Sequence, residues 1–204
     1  ITTRLVGSEM CIRDRVWKDP DIMPVAGTNP YTVIFIPEDT QNYNSITAEI
    51  FITVNKAVPE YTIPTDLTAV YSPNLTLADI ELPDGFSWNE PDTKLCVPGG
   101  EYKATYTPND IDNYTTVELT LNVEIKKYTP IIGVDIQLPT ASDITYGQKL
   151  GDSVLTPSEN DVIDGEWLWE ESDVTPSDDD NSYNAIFVVD DENYETVYVE
   201  VPVK

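Results

Sequence analysis

The chain has 204 residues, with 37 Asp and Glu against 11 Lys and Arg, a formal net charge of −26 and no His. Without His there is no imidazole to serve a catalytic triad, a zinc site or a general base. A surface this acidic repels nucleic acid and anionic lipid, both of which are bound through neutralised phosphates. The 40% apolar share can bury a core, and no apolar run approaches the ~18 residues of a spanning helix, so a disordered tail and a membrane span are both unexpected.

Residues 1–15 stand apart in composition. They hold every arginine of the chain (Arg4, Arg13, Arg15) together with Cys11 and Met10. The string Leu5-Val6-Gly7-Ser8-Glu9-Met10-Cys11-Ile12-Arg13-Asp14 resembles one reading frame of a transposase adapter used in sequencing libraries, and 1–15 is read as an artefact. Without it the chain carries 8 basic and 35 acidic residues, a net charge of −27, and lysine is its only base.

From Trp17 onward, aromatic residues fall on a grid, the signature of internal repeats. Trp17, Trp88 and Trp169 are separated by 71 and 81 residues, and so are Tyr31, Tyr102 and Tyr183. A third row is formed by Tyr43, Tyr114 and Tyr194, each closing an acidic, Asn-ended loop such as Asp110-Ile111-Asp112-Asn113. These nine aromatics are taken as repeat anchors. The grid divides the chain into a truncated repeat (16–58), a complete one (59–129) and a third (130–204).

Within each repeat the period is two, which predicts strands. Tyr31, Val33 and Phe35 share a face, as do Tyr102, Ala104 and Tyr106, and Tyr183, Ala185 and Phe187. Val117, Leu119, Leu121, Val123 and Ile125 alternate with polar residues, and Val197, Val199, Val201 and Val203 repeat the pattern. Turn-forming Asp, Asn and Pro join the paired strands into antiparallel hairpins. Pro202 has no N–H to donate, which points to a free strand edge. Residues 75–80 and 149–152 can each make one helical turn. Trp88 and Tyr102, with their counterparts, are expected in the core. Short strands in units of 71 to about 80 residues fit small β-sandwiches.

Together these motifs resemble the tandem bacterial Ig-like repeats of large surface proteins, in particular the type with a Tyr-Gly-x signature. The residues that carry the resemblance are Tyr146-Gly147-x-x-Leu150, Phe86-x-Trp88, Gly100-x-Tyr102-x-x-x-Tyr106-x-Pro108-x-Asp110-x-x-Asn113-Tyr114 and a valine-alternating strand ending in Lys. The resemblance implies an all-β array of Ig-like sandwich domains, with β-grasp repeats as the alternative. It further implies an extracellular, cell-surface setting, with signal and anchor outside this fragment. The function expected is a non-catalytic stalk or spacer and adhesion module whose first partners are neighbouring repeats. The alternative is an accessory module of a secreted hydrolase, binding host or plant-wall glycans or proteins.

Three constellations invite chemistry. Asp178, Asp179 and Asp180, with Asp190, Asp191 and Glu192, offer oxygen ligands of the kind Ca²⁺ takes, although solvated acidic loops are the commoner meaning of such runs. No other cofactor is expected. Trp167 and Trp169 fall on one face of a strand and could stack on sugars, but Phe86 and Trp88 hold the same places one repeat earlier, which favours packing. Cys96 has no base to activate it and no partner once Cys11 is set aside. The chain is therefore read as no enzyme.

Overall fold

The computed structural model describes residues 15–177 and 182–203. Among them the secondary structure is all-β, with two single-turn 3-10 helices and no α-helix. Compact packing divides the chain into two units, Ile1–Thr62 with Thr105–Glu118, and Ile63–Ala104 with Leu119–Lys204.

The first unit is built on the sheet β1-β2-β3, formed by Arg15–Trp17, Gly27–Phe35 and Ile46–Val54. Both pairings are antiparallel, with Trp17 opposite Val33 and Tyr31 opposite Ile50. Arg15, the last residue of the segment set aside above, is the register partner of Phe35. No buried cluster forms on this sheet among the described residues. Trp17 remains 44% exposed, contrary to the expectation that it is core as the counterpart of Trp88, and Phe35 is 42% exposed. The physical reason is visible in the other repeats, where a strand and a 3-10 turn preceding the tryptophan cover the same face. Among the described residues no such strand and turn precede Trp17.

In the second repeat, β4 (Leu67–Val70) and β5 (Phe86–Trp88) join the hairpin of β6 (Gly99–Tyr106) and β7 (Val117–Lys126) in the order β4-β7-β6-β5. The β4–β7 pairing is parallel, Leu67 opposite Val123. Burial follows the period of two: Leu121, Val123 and Ile125 are buried, and Asn122 and Glu124 between them are exposed. Leu77, inside the 3-10 turn Leu77–Asp79, closes this core with Ile80 and Leu95.

The third repeat repeats the plan. β10 (Glu166–Trp169), β11 (Ser182–Val188) and β12 (Val197–Pro202) form an antiparallel sheet with β12 at its edge, as Pro202 requires. A short hairpin of β8 (Thr140–Ala141) and β9 (Leu155–Thr156) lies alongside. Leu150, in the second 3-10 turn, packs into a core of Ile136, Trp167, Trp169, Phe187 and Val201.

Equivalent hydrogen bonds recur in the second and third repeats. Leu77 and Leu150 donate to the carbonyls of Thr93 and Val174, and Ala78 and Gly151 to those of Pro91 and Ser172. Asp79 and Asp152 accept from the amides of Thr76 and Lys149 and so cap the two turns. The indole Nε1 of Trp88 donates to Ile80 O at 3.0 Å, and that of Trp169 to Ser153 O at 2.9 Å. Each tryptophan thus pins the carbonyl at the end of its own 3-10 turn.

Candidate functional site

The grid aromatics separate by role once placed in the fold. Trp88, Trp169, Tyr31, Tyr102 and Tyr183 are buried or half-buried on their sheets. Tyr43 and Tyr114, by contrast, are exposed, at 66% and 39%. Tyr43 and Tyr114 therefore pack no core, while Tyr194 is half-buried. The third row marks the tips of the hairpins, and two of those tips grip an earlier part of the chain.

Within the first unit, the tip carrying Asn113 meets the first repeat and the linker after it. Asn113 Oδ1 accepts from the amide of Ala26 at 2.8 Å. The backbone of Asn113 accepts from Ala57 N, and Thr115 N donates to Ala57 O, both at 2.9 Å. Lys56 Nζ donates to Ile111 O at 2.6 Å. Within the second unit the arrangement recurs, its gripped residues 71 positions on and its tip 80 positions on. Asn193 Oδ1 accepts from Val97 N at 2.8 Å. Tyr128 N donates to Asn193 O at 3.0 Å, and Glu195 N to Tyr128 O at 2.9 Å. Tyr194 also meets Tyr71 and Tyr128 edge-on, with ring centroids 5.5 and 6.2 Å apart. Edge-to-face pairs of this kind add about 0.5–1.5 kcal/mol each to area burial.

An aspartate aims each clamp. Asp110 accepts from Asn113 N at 3.1 Å and from its Nδ2 at 2.9 Å. Asp191 does the same for Asn193 at 2.9 and 2.7 Å. With an Nδ2 N–H held by the carboxylate, the amide turns its acceptor oxygen to the preceding repeat. The side-chain bond from Asn113, and after it the backbone bond from Asn113, hold the Asp110 carboxyl below its ordinary value. Tyr128 is shifted the opposite way, upward, chiefly because its hydroxyl donates to Asp135 Oδ2 at 2.6 Å. Burial raises Tyr194 as well.

These shifts set two pH limits. A carboxyl depressed in the fold contributes stability above its unfolded value near 4, and loses it as pH falls through the lower, folded value. A phenol raised in the fold contributes below about pH 10 and loses it as pH rises through the higher, folded value. The Ala26 and Ala57 amide resonances should therefore hold steady from neutrality down to about pH 4 and move below it. Tyrosine absorbance should show a class of phenols ionising later than free tyrosine. Junction resonances unchanged at pH 2.5 would contradict the role given to Asp110.

The remaining sequence candidates fare differently. Trp167 and Trp169 are 5% and 8% exposed and belong to the core, the packing role that their repeat counterparts favoured over a sugar-stacking platform, and Phe187 lies against Trp167. Asp178, Asp179 and Asp180 lie outside the described residues. Asp190, Asp191 and Glu192 are described, and Asp191 is engaged by Asn193. Among the described residues no group of three acidic or Cys side chains converges as a metal site would require. Cys96 is a free, exposed thiol. Each repeat bears a shallow depression beside its tryptophan strand, of about 490, 560 and 390 Å³ in chain order. Their linings differ at the equivalent position, which is Thr32, Lys103 and Asn184 in turn. No helix among the described residues is long and apolar enough to cross a membrane.

The fold and junctions define a class, an all-β chain whose equivalent hairpin tips clamp what precedes them. No family model and no curated protein matches the sequence.

Proposed function

We propose that the chain is a stretch of tandem Ig-like repeats serving as the stalk or spacer of a large extracellular surface protein, presenting adhesive surfaces rather than performing catalysis. The observation that carries this reading is the recurrence of one junction, bond for bond, at Ala26/Ala57/Asn113 and at Val97/Tyr128/Asn193. A device repeated at every join serves connection, whereas a ligand site has no need to recur where repeats meet. The clamps use backbone groups, so side chains elsewhere can vary without loosening the join. The acidic surface keeps such arrays soluble and apart.

A stalk must bear tension. Pulled from its ends, the chain is expected to unfold in discrete events, the second repeat releasing about 240 Å of contour at ~3.4 Å per residue. Smooth extension with no force peak would overturn the proposal.

A further inference from the structure

Two of the three hairpin tips in this chain end on a partner, and the third is built the same way. In the loop between β2 and β3, Asp39 Oδ1 accepts from Asn42 N at 3.1 Å and Asp39 Oδ2 from Asn42 Nδ2 at 2.7 Å. Tyr43 N donates to Asp39 O at 3.0 Å, as Tyr114 N does to Asp110 O and Tyr194 N to Asp191 O at 3.1 Å. The Asp39 carboxyl is depressed, chiefly by the Asn42 side-chain bond, in parallel with Asp110. Asn42 is thus held by Asp39 as Asn113 is by Asp110, it is exposed, and no hydrogen bond to its Oδ1 is made among the described residues. Tyr43 is 66% exposed, against 39% for Tyr114 in a filled junction.

Resting on the tandem-repeat reading above, we infer that the 39–43 tip is a docking surface for one occupant, a further repeat of the same build lying ahead of it in the same polypeptide. The two filled junctions specify what that occupant presents. One contact is a backbone N–H at the place of Ala26 and Val97, received by Asn42 Oδ1. The other is a linker residue at the place of Ala57 and Tyr128, whose N–H is received by the Asn42 carbonyl and whose C=O accepts from the amide of residue 44. Because recognition is through the backbone, it tolerates any side chain there and excludes proline at both donor positions. A lysine just before the linker residue, as at Lys56, would reach the Thr40 carbonyl as Lys56 reaches Ile111.

The test extends the chain. Residues 15–204 are preceded by an added copy of residues 15–85, which restores in front of Trp17 the segment that stands in front of Trp88. Hydrogen exchange should show the Ala26 and Ala57 amides of the added copy protected. Asn42→Ala in the following repeat should speed their exchange at least about fivefold, the effect of one lost hydrogen bond. Unprotected amides in the extended chain, or amides indifferent to Asn42→Ala, would overturn the inference. In the unextended chain Asn42→Ala should leave Ala26 and Ala57 unchanged; an effect there would mean that the substitution acts through the fold, and would equally overturn it. Asn113→Ala in the unextended chain separates the two readings. If it leaves the exchange of Ala26 and Ala57 unaltered, the junction reading itself falls. If it accelerates them while Asn42→Ala in the extended chain does nothing, only the docking surface falls.

Discussion

Phe187→Ala is expected to destabilise the third repeat by about 3–5 kcal/mol, while the same truncation at Phe35 costs about 1 kcal/mol or less. The two residues hold equivalent grid positions, so their chemistry and strand placement are matched. Their surroundings are not. Phe187 is fully buried in the central strand of its sheet, against Trp167 with ring centroids 5.0 Å apart, whereas Phe35 is 42% exposed. The Phe187 ring also lies so close to Gly165 that a Cβ there would stand 2.3 Å from its Cζ. Removing the ring thus leaves a void walled partly by backbone, which relaxes less than side chains do, and the cavity cost adds to lost burial. A domain with 5–15 kcal/mol in total would keep little margin. Denaturant unfolding should show an early transition accompanied by red-shifted emission from Trp167 and Trp169. Equal losses at Phe187 and Phe35 would mean that the first repeat has a core after all.

Much of this architecture is legible in the residues, and the reason is periodic. Alternation along Val117–Lys126 reports which face is dry because strand side chains alternate strictly. The 71-residue spacing reports domain equivalence because each repeat solves the same packing problem. Even the 3-10 turns at Leu77 and Leu150 fall in the segments 75–80 and 149–152, each of which can make one turn.

The clamps were hidden for the opposite reason. Asn42, Asn113 and Asn193 sit in Asp- and Asn-rich loops where turn formation already accounts for them, and the bonds that matter join residues 87 and 96 apart in sequence. The available signal was that Asn and Tyr hold their places in the tips while the intervening residues do not: Thr40-Gln41, Ile111-Asp112, and a single Glu192. A turn needs no such constancy. The exposure of Trp17 was missed because an anchor on the grid was equated with burial, when burial needs the covering half of the repeat as well.

Gly99 is the position where backbone geometry, and not side-chain packing, sets the tolerance of the second repeat. Its φ is +92°, a region L residues rarely adopt, and a Cβ there would stand 2.1 Å from Val123 O and 3.0 Å from Ile125 N. The obstructing atoms belong to the backbone of β7, the strand that pairs on both sides, and Ile125 N already donates to Pro98 O at 3.0 Å. They cannot retreat without breaking ladder bonds. Gly99→Ala is therefore expected to cost about 3–5 kcal/mol, at the level reserved for strain combined with lost hydrogen bonds. Gly27 supplies the control, because its φ is +108° but the nearest atom to an added Cβ is the Asn29 Nδ2, 3.6 Å away. Gly27→Ala carries the conformational penalty alone, about 1–2 kcal/mol. Denaturant unfolding of the two variants should separate them by about 2 kcal/mol, and equal losses would show that β7 yields to the methyl group.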